Sequence, residues 1–327
     1  MKLISNIDEV RAHVPVSMTE NIETLNPFLA SAESQFIKPM IGKAQFDVFF
    51  TLYTEAGENI ENIENQHHKN AMLALQKAIA NLGYLLGLPI LNVSVGPSGV
   101  QIFSNADTKS AFEWQVDDLK RALLELGYNG IEDLMDVMES DIDLFEAYKN
   151  SDAKKRTEQN LIENAQDFNI YYNIRESRFT FHTLTYIMQR IEKQKVEPMF
   201  GKAFLDTLRL DNIEGKALIL VTTYLKPGIA LLTIAKALIE RIIVIDNGTA
   251  SVNVHGNYNT MKDISADYRE MINLAVAQLT EDGNLFLQNG LEYVLANAED
   301  LEGFTPQDMK RGRFKATNNP EKGIFAI

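Results

Sequence analysis

Apolar residues recur between residues 25 and 37 at the spacing of one face of an α-helix. They occupy positions i, i+3, i+4, i+7, i+11 and i+12 of the segment, and Thr24 or Asn26 can cap the helix. Pro39 is expected to interrupt this helix. Gly42, three residues later, suits a turn that needs a backbone without a Cβ atom before the next helix begins.

Three further elements are predicted after this turn. The first is a helix over about residues 70–86, which is apolar enough to lie at the centre of a fold. The second is a β-hairpin, because residues 92–95 and 100–103 alternate between polar and apolar on either side of a Gly-Pro-Ser-Gly turn. The third is a helix or a pair of helices over residues 109–126 and 131–145.

This pattern occurs twice in the chain. The nine residues Pro39–Asp47 return as Pro198–Asp206 with six of the nine positions identical, at an offset of 159 (198 minus 39). The same offset pairs Glu33 with Glu192 and continues without a gap into the strands. After the strands the offset becomes 155, as expected if one hairpin loop is four residues shorter. The second hairpin turn is then expected at residues 256–259.

The sequence therefore predicts a mainly α fold built by tandem duplication of a helical-bundle unit. Each unit carries one β-hairpin, and an extended C-terminal tail follows. The expected units are residues 1–150 and residues 160–299, joined by a polar and charged segment, and the tail is residues 300–327.

The repeated turns at Pro39, Gly42, Pro198 and Gly201 are predicted to be structural. A Walker phosphate-binding loop needs a glycine five residues before the Gly-Lys pair and a Ser or Thr after it. Neither copy has these residues.

Composition is that of a globular protein, with 45% hydrophobic and 23% charged residues among 327. The formal net charge of −14 argues against a general basic surface for nucleic acid. The absence of cysteine excludes disulfides, thiolate metal sites and a cysteine nucleophile, and is compatible with a reducing cytosol. Apolar stretches at residues 78–106 and 217–245 are interpreted as buried core and not as membrane spans, because Gly, Pro, Asn or charged residues interrupt them.

No catalytic, cofactor-binding or metal-binding residue is predicted. The segment from Asp141 to Asp152 lacks the glycine and the final glutamate of a calcium loop, and the chain has no GxGxxG or GxSxG motif. We therefore expect no cofactor and no enzyme activity. None of the five histidines belongs to a recognisable metal-ligand pattern; they are His13, His67, His68, His182 and His255.

The C-terminal tail differs in composition from the rest of the chain. It is punctuated by Gly, Pro and Asn, and four basic residues cluster between residues 310 and 315. A segment of this kind lacks its own core, so its apolar residues need either the protein's own body or, as we prefer, a neighbouring subunit. The candidate subunit or partner contacts are Phe304, Arg311, Arg313, Phe314, Ile324 and Phe325.

Several segments carry a distinctive sequence: Leu3–Arg11, Val14–Val16, Ala32–Glu33 and Phe36–Gly42 in the first half, and Glu176–Phe181 and Val196–Gly201 in the second. In these segments the chain resembles an uncharacterised family of virion proteins encoded by phages and prophages of Bacteroides-type bacteria. The resemblance covers most of the chain. Each half is in turn similar to the head–tail connector (adaptor) proteins of tailed phages, including crAss-like phage ring proteins.

The resemblance implies a structural virion protein, a head–tail connector or ring component that docks on the portal and extends the DNA channel. It implies a homo-oligomeric ring, with twelve copies preferred and six left open by the duplication, in contact with the portal and with neighbouring ring or tail proteins. DNA would pass through the lumen without specific binding, and no membrane is involved. The expected location is the head–tail junction of the virion, after assembly in the host cytoplasm.

Two alternatives stay open. One is a helical enzyme or ligand-binding protein with a site between the two units, lined by His182, Asp206 or His255. The other is a different virion role, such as a tail or capsid accessory protein.

Overall fold

The computed structural model describes residues 2–15, 21–91, 93–96, 99–102, 111–210, 213–240, 242–246, 248–252, 266–301 and 303–304. The chain divides into two compact units. Unit 1 is Met1–Thr157 together with Ser177–His182, and unit 2 is Glu158–Glu176 together with Thr183–Ile327. Most of the described residues are helical and each unit carries one two-stranded antiparallel hairpin, which confirms the predicted mainly α tandem duplication.

The helices of unit 1 are α1 (Ile7–Arg11), α2 (Ile22–Ala32), α3 (Lys38–Ile41), α4 (Lys43–Glu55), α5 (Gln66–Leu91), α6 (Glu113–Ser140), α7 (Glu146–Lys149) and α8 (Asp152–Glu158), which ends at the unit boundary. A π-helix over Glu33–Ile37 joins α2 to α3, and a 3-10 turn covers Ile60–Asn62. Strands β1 (Val93–Gly96) and β2 (Gly99–Ile102) form the hairpin, with Val93 opposite Ile102.

The second half repeats this order. Its helices are α9 (Ala165–Tyr171), α10 (Arg178–Ile191, whose first residues belong to unit 1), α11 (Glu197–Phe200), α12 (Lys202–Leu208), α13 (Gly215–Ile219), α14 (Lys226–Ile239) and α15 (Ala266–Ala296). π-Helices cover Glu192–Val196 and Leu220–Leu225, and a 3-10 turn covers Ala298–Asp300. Strands β3 (Ile243–Asp246) and β4 (Thr249–Val252) form the hairpin, with Ile243 opposite Val252.

The core of each unit is a pair of long helices in close contact. In unit 1, α5 packs on α6 at Gly130, where an added Cβ atom would lie 2.7 Å from the backbone nitrogen of Ala78. In unit 2, α14 packs on α15 at Gly283, where the same addition would lie 2.7 Å from the side chain of Leu232. Glycine at these positions lets the two helix axes approach closely. The glycines of α6 therefore serve helix packing, and α6 is one continuous helix and not a pair of helices.

The prediction that Pro39 interrupts the first helix is wrong. The helical path continues through the π-helix Glu33–Ile37 into α3, and each of the three π-helices ends two residues before a proline. A proline has no N–H group and its ring clashes with the carbonyl of residue i−4, so a wider turn lets the helix continue past it. The N-cap also differs from the prediction, since Asn21 caps the helix by accepting the N–H of Glu23 at 3.1 Å.

The second hairpin lies earlier than predicted. Its turn falls between Asp246 and Thr249 and includes Gly248 at φ 73°, whereas the predicted turn at residues 256–259 lies outside the described residues. Strands β1 and β3 are therefore offset by 150 residues (243 minus 93), so the ungapped offset of 159 ends before the strands. The consecutive β-branched residues Ile243, Val244 and Ile245 form β3 because their side chains suit a strand better than the end of a helix.

Two helical stretches, Gln66–Leu91 and Gly215–Ile239, are long and apolar enough to cross a membrane by length and composition alone. The apolar part of the first is 78% buried inside the fold and that of the second is 50% buried. Their packing against α6 and α15 accounts for this burial.

Candidate functional site

The two predicted turns have the same backbone geometry. Gly42 adopts φ 81° and Gly201 adopts φ 87°, in the left-handed region that only glycine enters without strain. Each donates its N–H to the carbonyl of the first residue of the preceding short helix, Lys38 at 3.0 Å and Glu197 at 2.9 Å. An added Cβ atom on Gly42 would lie 2.9 Å from the Cβ atom of Ser151. These turns therefore redirect the chain.

A buried carboxylate occupies the same position in both repeats. Glu33 and Glu192 are each 3% exposed, and each is the first residue of a π-helix. Glu33 accepts the backbone N–H of Leu3 at 3.3 Å, and Glu192 accepts that of Leu161 at 2.8 Å. Burial raises the pKa of both carboxyl groups. In each repeat, this glutamate binds the backbone near the start of the repeat to the helix. Comparison of the two repeats could have identified this role, since an identical Glu interrupts the apolar stripe of both copies.

The polar surroundings of these carboxylates differ between the units. In unit 1, the Tyr53 hydroxyl donates to Glu9 at 2.6 Å, and the Gln76 side-chain amide donates to the Leu3 carbonyl at 2.6 Å. Burial and the hydrogen bond to Glu9 raise the pKa of Tyr53. In unit 2, the Arg209 guanidinium donates to Glu192 at 2.6 Å. Glu33 and Glu192 therefore share the backbone N–H contact, and Glu192 has in addition an ion pair with Arg209.

Unit 2 also contains an open cleft of about 550 Å³. Three of its charged groups form ion pairs, since Arg209 contacts both Glu192 and Asp206. The residues that line the cleft include no Ser, Cys or His. They are Glu158, Gln159, Gln189, Glu192, Lys193, Glu197, Lys202, Asp206 and Arg209.

The residues predicted for the alternative site have different environments. Asp206 lines the unit 2 cleft, and His255 lies outside the described residues. His182 belongs to unit 1, where burial and the nearby Arg156 lower its pKa to about 4, so the imidazole is neutral at pH 7. Across the described ranges, no three His, Asp or Glu side chains are grouped closely enough to hold a metal ion.

Phe304, predicted as a candidate contact with a subunit or partner, packs instead on the body of its own unit. It is 7% exposed, and its ring meets that of Phe204 edge-on with centroids 5.3 Å apart. The corresponding pair in unit 1 is Gln45 and Tyr148, in which the Gln45 side-chain oxygen accepts the Tyr148 N–H at 3.0 Å. The second repeat thus continues past residue 300. The other predicted contacts, Arg311, Arg313, Phe314, Ile324 and Phe325, lie outside the described residues.

The first halves of α6 and α15 do not pack into the core of their units. No residue between 114 and 122 is buried, and none is buried between 269 and 282. Both segments nonetheless carry large apolar side chains. Trp114 and Leu119 on α6 are 63% and 41% exposed, and Met271 and Leu274 on α15 are 56% and 65% exposed. Both segments therefore present apolar side chains at the surface of their units.

The second half of α6, in contrast, is covered within unit 1. Arg178 forms ion pairs with Glu132, Asp136 and Glu139, which follow one another on a single face of the helix. Phe179 stacks on Tyr128 with ring centroids 4.5 Å apart. An Arg-Phe dipeptide is therefore the element that covers this helix face.

A family model described as a family of unknown function, DUF6712, matches residues 37–158 and residues 194–312. The chain belongs to this family. The two matches fall on the two repeats, so one DUF6712 region corresponds to one helical unit with its turn, its hairpin and its long second helix. The second match extends beyond residue 300, in agreement with the burial of Phe304. No curated protein and no solved structure matches the chain.

Proposed function

We propose that this DUF6712 protein is a structural component of a tailed-phage virion, a ring (adaptor) protein at the head–tail junction that docks on the portal and extends the DNA channel. The ring is proposed to contain twelve copies and to contact the portal and the neighbouring ring or tail proteins. It acts without catalysis.

The exposed apolar side chains on the first halves of α6 and α15 carry this proposal. A helix segment without buried residues gains little stability from its own unit, because helical stability in proteins comes mainly from packing of an apolar face. Because both repeats expose these side chains, we infer that each unit contacts another protein. Head-to-tail contacts of this kind generate rings when the rotation between subunits closes.

The charge of the protein fits the proposed channel. The formal net charge of −14 repels the DNA backbone, so a lumen lined by carboxylates would let DNA pass without adhesion. Only carboxylates within about 8 Å of the DNA contribute at physiological salt, because more distant charges are screened.

Native mass spectrometry and negative-stain microscopy of the purified protein, alone and mixed with its portal, test the proposal. We expect a closed ring at high concentration or on the portal. A protein that stays monomeric at every concentration and does not bind the portal would contradict it.

A further inference from the structure

The face of α6 that receives Arg178 has a counterpart on α15. The buried residues of the two helices align at an offset of 156 (287 minus 131), which corrects the predicted 155: Ile131 and Met138 of α6 correspond to Leu287 and Val294 of α15. The same offset aligns Glu132, Asp136 and Glu139 with Gln288, Glu292 and Leu295. Equivalent helix faces are therefore built from different chemistry in the two repeats.

This counterpart, the outer face of α15, consists of Glu281, Leu285, Gln288, Glu292 and Leu295. It lies opposite the buried side of the helix, since the 3.6-residue period places these five side chains within one arc. The two leucines are 52% and 48% exposed. In the part of the chain that the structure describes, neither carboxylate forms an ion pair. The face therefore presents both apolar surface and unneutralised negative charge.

The C-terminal segment has the complementary chemistry. Residues 305–327 contain five basic and two acidic side chains, together with Phe314, Ile324, Phe325 and Ile327. They include the dipeptide Arg313-Phe314, the same pair of residue types that covers α6 as Arg178-Phe179. Only eight residues separate the end of α15 from residue 305. A tether this short gives an attached segment a high effective concentration at a nearby surface.

We propose that residues 305–327 dock on the outer face of α15 of their own chain. Arg313 pairs there with Glu292, and Phe314 packs on the leucines, as Arg178 and Phe179 do on α6. This inference concerns the free subunit and does not depend on ring formation or on the portal.

Disulfide trapping in the full-length chain tests the docking, because the natural sequence contains no cysteine. Gln288→Cys places a thiol on the outer face, and Ala316→Cys places one beside Phe314. We expect mild oxidation of the dilute protein to give mainly an intramolecular disulfide. The control pair, Ile170→Cys with Ala316→Cys, uses a residue of unit 2 that is 75% exposed, the highest value for a large apolar side chain among the residues described there, and should be trapped less than half as often.

Charge exchange provides the second measurement. Glu292→Lys in the 288/316 pair should lower the yield of trapping about threefold, and Arg313→Glu added to it should restore the yield. Gln288 and Glu292 are exposed, so unchanged thermal unfolding is expected and is checked in parallel. Equal trapping by both cysteine pairs would overturn the proposal, and a disulfide between two chains would assign the face to another copy instead. Because the assay uses dilute subunits, failure of ring assembly alone would leave its result unchanged.

Discussion

The carboxylate of Glu192 accepts the backbone N–H of Leu161 at 2.8 Å, and its repeat partner Glu33 accepts that of Leu3 at 3.3 Å. Leu3 and Leu161 are both buried, so each N–H group would lack a partner without its glutamate. A buried donor without an acceptor costs more than an average hydrogen bond contributes. This contact therefore holds the start of each repeat in place.

Glu33→Ala should lower the free energy of unfolding by about 1–3 kcal/mol, because it removes the acceptor of the Leu3 N–H. Glu33→Gln should cost less, since its side-chain oxygen can still accept the N–H. Urea unfolding at pH 7 of the two variants and the natural chain measures this difference. Equal losses for Ala and Gln would contradict an acceptor role.

Gly42→Ala should lower the free energy of unfolding by about 2–3 kcal/mol. It adds about 1–2 kcal/mol of backbone strain at φ 81° and places a Cβ atom 2.9 Å from that of Ser151. Gly57→Ala is the matched control, because Gly57 has φ 68° and no atom within 4 Å of an added Cβ, so it carries the strain alone. Ser151→Gly in the Gly42→Ala background should recover part of the loss. Denaturant unfolding of these three variants and of the natural chain tests this order.

Arg178→Ala should destabilise unit 1 by about 1–2 kcal/mol, because Glu132, Asp136 and Glu139 would repel one another without it. Arg178→Lys should recover only part of the loss, since the single nitrogen of an ammonium group cannot reach the three carboxylates that three separate guanidinium nitrogens contact. The loss should shrink as salt screens the carboxylates. Thermal unfolding at low and high salt checks this, and a loss that does not depend on salt would point to packing instead.

His182 should make the fold sensitive to acid. Burial lowers its pKa to about 4 from an ordinary 6.5, so the folded state favours the neutral imidazole. The stability that this provides is complete above pH 6.5 and is lost as the pH falls toward 4, a change of about 3 kcal/mol. His182→Gln should remove this part of the acid sensitivity.

The two buried carboxyl groups titrate with the opposite sign. Burial raises the pKa of Glu33 and of Glu192, so their contribution to stability is complete below the ordinary carboxyl pKa and is lost as the pH rises through the raised value. Comparison of the unfolding free energies of the natural chain and His182→Gln at each pH therefore isolates the histidine. Parallel curves for the two proteins between pH 7 and pH 4 would contradict the prediction.

Leu119→Asp and Leu274→Asp should prevent ring assembly without unfolding the subunit. Both side chains are substantially exposed, so the substitutions remove apolar contact surface and leave the cores intact. Leu210→Asp is the control, because Leu210 is 65% exposed but lies outside α6 and α15. Native mass spectrometry at matched concentration measures assembly, and circular dichroism checks the fold. Assembly that is equally impaired by all three substitutions would argue against these helices as the contact surface.

The sequence by itself determined the duplication and the helical class, because both are local. The identical Pro-Met-x-Gly turns register the two copies, and the 3.6-residue apolar period of α2 requires an amphipathic helix. Gly42 could be assigned to a turn from chain geometry alone, since a left-handed φ favours glycine wherever it occurs.

Only the tertiary structure decided how these pieces are joined. Pro39 predicts a helix end, yet a π-helix lets the helical path continue past it. The identical residues of the repeat do not reveal that the second hairpin begins nine residues before the position that the offset of 159 predicts. Phe304 looks like part of a tail, but it is buried against Phe204. Burial and the pairing of Arg178 with three carboxylates depend on residues distant in sequence, and a local pattern contains no information about which distant surface a side chain meets.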